Sequence, residues 1–210
     1  MTTCDLSTYL VTDPELCGDR GVLDTVRAAV EGGVTAVQLR DKHASARSLS
    51  LLADAVLRNL EGTGVAVVVN DRLDVALAVG AHGVHLGQED LRVEDVRRLA
   101  GPDLLIGWSV ATHEEMTTAN ALPNGTLDYL GLGPVFATPT KTDAANALGI
   151  DGLTDLCRRT HLPCVAIGGI HAGNAADVRG SGVDGVAVVS AICSASDPAG
   201  AAATLGGDAR

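Results

Sequence analysis

Eight short β-branched apolar runs, each followed by a stretch with helical spacing, constrain this 210-residue chain more than any other feature. The runs cover residues 9–11, 36–39, 65–69, 83–86, 104–108, 129–132, 164–167 and 185–189. Between them, Val22, Val26, Ala29 and Val30 recur on one helical face, and Leu49, Leu52, Ala53, Val56, Leu57 and Leu60 form a second stripe. Thr112 with Glu115 reads as a capping box that opens another helix. Residues 197–205 close the chain as a short helix. Near-continuous apolar runs are what strands buried on both faces of a parallel sheet require. Eight such β–α units in about 200 residues predict an α/β fold, a single (β/α)₈ TIM barrel. A doubly wound open sheet usually has fewer strands, and no G-x-G-x-x-G follows the first run. No linker, low-complexity tract or charge block divides the chain, so residues 1–210 read as one domain.

Composition narrows the partners. Hydrophobic residues make up 46% of the chain, with only one Trp, two Tyr and one Phe, so Val, Leu, Ile and Ala must fill the core. The 26 acidic residues outnumber 15 basic ones, giving a net charge of −11. That balance argues against nucleic acid or an anionic membrane as partner, and leaves room for a small basic pocket holding an anionic substrate. Five cysteines at irregular spacing, without a C-x-x-C pair, predict reduced thiols in a cytoplasmic protein. The first residues lack the basic-then-apolar pattern of a signal peptide, and no apolar run reaches bilayer length. A homo-oligomer is compatible with all of this.

Each apolar run ends in polar residues on its C-terminal side, where barrel active sites are assembled. The first gives Thr12 and Asp13, the third Asn70 and Asp71, the fourth His85, Gln88 and Asp90, and the fifth Ser109. The sixth opens a long stretch, residues 133–149, holding Thr138, Thr140 and Lys141. After the second run, Gln38, Arg40 and Lys42 share one face by the period of two. Two cations and an amide together suit a phosphate or diphosphate. The plainer alternative is a solvated strand end with Arg40 paired to Asp41. Asp71 and Asp90 end neighbouring strands and suit Mg²⁺, which takes one or two carboxylates plus substrate oxygens and water. Each could equally cap a helix, beginning near Arg72 and Leu91 respectively. Gly168-Gly169 and Val189-Ser190 follow the seventh and eighth runs, the recurrent phosphate site of such barrels, though two tight turns would read the same way. His85 reads as a hydrogen-bonded wall residue and Trp108 as packing. Ser109 lacks a nucleophile-elbow setting.

Taken in order, these segments resemble the thiamine-phosphate synthase family along nearly the whole chain. They are Tyr9-Leu10-Val11-Thr12-Asp13, Val37-Gln38-Leu39-Arg40-Asp41-Lys42, Asn70-Asp71, His85-Leu86-Gly87-Gln88 with Asp90, and Gly107-Trp108-Ser109. They continue with Gly133-Pro134-Val135-Phe136, Thr138-Pro139-Thr140-Lys141, Ala166-Ile167-Gly168-Gly169-Ile170 and Val189-Ser190-Ala191-Ile192. The resemblance implies a transferase of thiamine biosynthesis. It would move the 4-amino-2-methylpyrimidin-5-ylmethyl group from its diphosphate to a thiazole phosphate, carboxylated or not, giving thiamine monophosphate and diphosphate. It also implies that Gln38, Leu39, Arg40, Asp41, Lys42, Asn70 and Lys141 bind the pyrimidine diphosphate, with Ser109 on the pyrimidine side. Thr138, Pro139, Thr140, Gly169, Val189 and Ser190 would hold the thiazole phosphate, and Asp71 and Asp90 would bind Mg²⁺. Catalysis would then rest on Arg40, Lys42, Lys141 and Ser109, with residues 133–149 as a lid.

Three rivals are weaker. A thiazole tautomerase on a similar barrel has no use for Arg40, Lys42, Lys141 or the paired aspartates. A non-catalytic phosphate-ligand binder would need no turnover, and no appended partner domain is visible. Aldol-type barrels need a Schiff-base lysine, usually in a buried strand, whereas Lys42 and Lys141 lie in expected loops.

Overall fold

A computed structural model describes residues 4–138 and 147–206 of the chain. The first half runs β1 (Thr8–Val11), α1 (Pro14–Cys17), a 3₁₀ turn (Gly18–Arg20), α2 (Gly21–Glu31), β2 (Ala36–Leu39), α3 (Ala46–Asn59), β3 (Ala66–Asn70), α4 (Leu73–Val79), β4 (Gly83–Leu86) and α5 (Val93–Ala100). The second half runs β5 (Leu105–Val110), α6 (His113–Ala121), β6 (Tyr129–Leu132), α7 (Gly149–Cys157), β7 (Cys164–Ile167), α8 (Ala175–Gly180), β8 (Gly185–Val188), α9 (Ser190–Cys193) and α10 (Pro198–Leu205). Every strand pairs in parallel with its sequence neighbours, and β1 pairs with β8, so the sheet closes into an eight-stranded barrel. The (β/α)₈ TIM barrel expected from the alternation is the fold.

Alternation along the strands sorts the side chains into two cores. Leu10, Val37, Leu39, Val67, Val69, Leu86, Leu130 and Val188 point outward and pack under the helices. Tyr9, Val11, Ala36, Ala66, Val68, Tyr129, Val165 and Ala187 fill the barrel interior. The apolar stripe of α2 buries Val22, Val26 and Ala29, and that of α3 buries Leu49, Ala53 and Val56. The helices start where polar side chains can take their unpaired N–H groups. Asp13 caps α1, Ser45 caps α3 and Asp197 caps α10. Thr112 and Glu115 form the expected capping box on α6.

Two differences from the sequence reading matter for the site. β5 continues to Val110, past the expected stop at Trp108, so Ser109 sits on a strand and not in a loop. An extra short helix, α9, begins at Ser190 directly after β8. Among the described residues all five cysteines are free thiols, and no helix is long and apolar enough to cross a membrane.

Candidate active site

The C-terminal ends of the strands surround one cavity of about 550 Å³. Its floor is polar. Tyr9 and Tyr129 meet hydroxyl to hydroxyl at 2.9 Å, and Gln38 Nε2 donates to Tyr9 Oη at 3.3 Å. His85 contacts Tyr129 Oη through Nδ1 at 3.0 Å and Ser109 Oγ through Nε2 at 2.9 Å.

One wall is cationic. Gln38, Arg40 and Lys42 all line the cavity, as the period of two requires. Arg40 is aimed by its neighbours: its NH1 lies 3.7 Å from Asp13 Oδ2, and its backbone N–H donates to Thr12 Oγ1 at 3.1 Å. The alternative of a solvated strand end with Arg40 paired to Asp41 does not hold: the partner is Asp13, itself held by the N–H groups of Glu15 and Leu16.

Asn70, Asp71 and Asp90 form the adjacent wall. Asp71 has φ = 61°, the left-handed region that few non-glycine residues occupy. A tight turn imposes it, with Asp71 N–H donating to His85 O at 2.8 Å and Arg72 N–H to Asn70 O at 2.7 Å. Such strain persists where the surroundings over-determine it, commonly at functional sites. The turn sets the carboxylates of Asp71 and Asp90 against one another. Burial and the Asp90 carboxylate together raise Asp71 from 3.8 to about 6, against smaller lowering effects of Asn70 and Lys42. Neither aspartate caps a helix. α4 and α5 start later, behind Arg72 and Arg92, with no side-chain cap. Asp90 Oδ2 instead accepts from the N–H of Gly87 at 2.7 Å. Two facing carboxylates next to a lysine can hold a divalent cation that brings further oxygen ligands with it.

The opposite wall is backbone. Gly168 and Gly169 have φ of 104° and 66°, and a Cβ on either would lie 2.7 Å from Pro134 or Phe136 atoms. Asn174 braces the turn, donating from Nδ2 to Gly169 O at 2.9 Å. Val189, Ser190 and Thr138 complete this side.

Two predicted residues face elsewhere. Leu39 is fully buried in the outer core, because the alternation that turns Gln38 inward turns Leu39 toward the helices. The Asp41 carboxylate accepts from the N–H groups of His43 and Ala44 and shapes the loop before α3. Neither side chain belongs to the cavity wall. Pro139, Thr140 and Lys141, with most of the expected lid, lie outside the described residues. The described ends of that stretch are tied together, with Leu148 N–H donating to Pro134 O and Gly149 N–H to Val135 O, both at 2.9 Å. Tyr9 and Asp13 lie in the first matching segment, but the sequence assigns no site role to them or to Tyr129. The signal was present: the chain's only two tyrosines both fall at inward positions of strands.

A model of the thiamine monophosphate synthase family matches residues 8–192. The chain belongs to that family. As an enzyme of the family it is a transferase. It is 52% identical over 200 residues to thiamine-phosphate synthase of Albidiferax ferrireducens, covering 95% of this chain and 90% of the relative. It is 53% identical over 196 residues to that of Laribacter hongkongensis, covering 93% and 91%. Thiamine phosphate pyrophosphorylase from Pyrococcus furiosus superimposes with a TM-score of 0.86 at 40% identity, over 96% of this chain and 94% of that one. Other phosphate-handling barrels in the comparison, such as a 3-hexulose-6-phosphate synthase at 17% identity and TM-score 0.68, share the fold alone.

Proposed function

We propose that the cavity joins a pyrimidine diphosphate to a thiazole phosphate, forming thiamine monophosphate and releasing diphosphate. One observation carries the reading. A single cavity gathers two cations, two facing carboxylates and a braced glycine turn beside Ser190. A substrate with a diphosphate and a partner with one phosphate use all three; a one-phosphate isomerisation uses only the last.

Arg40 and Lys42, with Lys141 from the loop, bind the diphosphate, Arg40 through its planar fork. Asn70 binds beside them. Ser109 and Gln38 face the pyrimidine ring. Gly169, Val189 and Ser190, with Thr138, Pro139 and Thr140, hold the thiazole phosphate. Asp71 and Asp90 suit Mg²⁺. Their mutual repulsion favours a cation, and among the described residues no third His, Cys, Asp or Glu joins them, which leaves positions for diphosphate oxygens and water. When bound, Mg²⁺ supplies positive charge against the departing diphosphate.

The pyrimidine amino group feeds electron density into its ring, so the bond from the exocyclic carbon to the diphosphate oxygen can break early. The bonding pair leaves with the diphosphate, where Arg40, Lys42 and Lys141 stabilise it. The thiazole nitrogen lone pair then forms the new C–N bond. No general base is needed, because the thiazole nitrogen brings its own lone pair. Keeping water from the cationic carbon is the role we assign to residues 133–149. The free thiols support a reducing, cytoplasmic setting.

Calorimetry tests the two-subsite arrangement. The pyrimidine diphosphate with Mg²⁺ and the thiazole phosphate should each bind one to one, and neither should displace the other. Competition between them for one site would overturn the reading.

A further inference from the structure

We infer that a one-way hydrogen-bond chain through the barrel interior sets the His85 tautomer and makes Ser109 a donor toward the substrate, with Tyr129 as the positioning residue. This rests on the reading above, in which Ser109 faces the pyrimidine.

The polarity follows link by link. Gln38 Nε2 can only donate, so Tyr9 Oη accepts at 3.3 Å. Tyr9 gives its own proton to Tyr129 Oη at 2.9 Å. Tyr129 then gives its proton to His85 Nδ1 at 3.0 Å. His85 therefore carries its proton on Nε2 and donates it to Ser109 Oγ at 2.9 Å. Ser109, having accepted, keeps its own proton for the cavity.

The surroundings hold this arrangement. Tyr9 and Tyr129 are each 1% exposed and His85 9%, so bulk water does not replace their partners. Burial also raises the pKa of both tyrosine hydroxyls well above the ordinary range, making them weaker acids and keeping them neutral. Space is set aside for the rings. A Cβ on Gly107 would lie 2.2 Å from Tyr129 Cζ and 2.5 Å from His85 Nδ1, and one on Gly131 would lie 2.9 Å from His85 Cε1. Two neighbouring strands thus leave side chains out where the relay passes.

Pyrimidine ring nitrogens carry lone pairs and no proton. A donating Ser109 matches them. In the reversed chain Ser109 would donate to His85 and offer only lone pairs.

Two measurements test the relay. Nitrogen-15 NMR of the histidine side chains, with His85 assigned from its loss in His85→Gln, should show His85 protonated at Nε2. Protonation at Nδ1, read in the wild-type protein, would overturn the proposal. Tyr129→Phe should lower kcat/KM for the pyrimidine diphosphate about three- to tenfold, the loss of one neutral hydrogen bond, with KM for the thiazole phosphate unchanged. In a Ser109→Ala background the same change should cost less than about twofold, because Tyr129 acts through Ser109. Losses that multiply in the double variant would overturn the assignment. Failure of the functional reading shows separately, as wild-type protein that forms no thiamine phosphate while the tautomer stands.

Discussion

Asp71 and Asp90, at the ends of adjacent strands β3 and β4, hold their carboxylates against each other at the cavity wall, and burial with that contact raises Asp71 to about 6. The backbone at Asp71 is bent into the left-handed region to make the meeting. Neither residue serves the helix that follows it.

The pair gives a pH signature in metal-free protein. Asp71 has a folded pKa above its ordinary 3.8, so folding favours its protonated form. That contribution is fully present below about 3.8 and is lost as pH rises through about 6. Asp71→Asn keeps a neutral side chain at every pH. Melted without metal, it should gain on wild type between pH 4 and 7, with little difference at pH 4. A gap independent of pH would show that the carboxylates do not repel.

The same substitution separates cation binding from folding. Asp71→Asn and Asp90→Asn should both fold, yet need far more Mg²⁺ to reach half-maximal rate. Because both act on one ion, the double variant should not show the product of the two effects. An initial-rate titration checks this, and an unchanged Mg²⁺ requirement would remove the pair from the metal site.

Arg40 is oriented by Asp13, which also caps α1. Arg40→Ala should weaken pyrimidine diphosphate binding by about 1.5–3 kcal/mol, the usual worth of a hydrogen bond to a charged group. Asp13→Asn retains capping ability, so stability should hold within about 0.5 kcal/mol while Arg40 loses its guide. Its KM for the diphosphate should rise, less than in Arg40→Ala. Calorimetry and thermal unfolding measured together distinguish the two roles.

Ser190 begins α9 beside the glycine turn. Ser190→Ala should weaken thiazole phosphate binding by about 1.5–3 kcal/mol and leave the pyrimidine diphosphate nearly untouched. Equal weakening of both ligands, measured by calorimetry, would refute the division into subsites.

Gly107 has no room for a methyl group. Its Cβ would press on Tyr129 and His85, both in the barrel interior. Gly107→Ala should cost about 1–3 kcal/mol by overpacking, read from denaturant unfolding.

Periodicity made the barrel readable. Strand runs buried on both faces and amphipathic helices have distinct repeats, and all eight strands fall where the runs predict, within one or two residues. The same period placed Gln38, Arg40 and Lys42 on one wall. It also shows why Leu39 faces away: inclusion by motif ignored its parity. Capping of Asp71 and Asp90 was open in the sequence because Asp precedes helices for either reason. Only the late starts of α4 and α5 decide it. The Tyr9–Tyr129 contact joins residues 120 positions apart, which no local pattern encodes. Asp13 as partner of Arg40 was likewise hidden, since Asp41 is nearer in sequence but is held by its own loop.

The most direct measurement is the joining reaction itself. Purified protein is mixed with the pyrimidine diphosphate, the thiazole phosphate and Mg²⁺, and the products are followed by mass spectrometry alongside a diphosphate assay. Thiamine monophosphate and diphosphate should appear one to one, only with both heterocycles present, and Arg40→Ala should slow both equally. Diphosphate released without any thiamine phosphate, or no turnover at all with both ligands bound, would contradict the account.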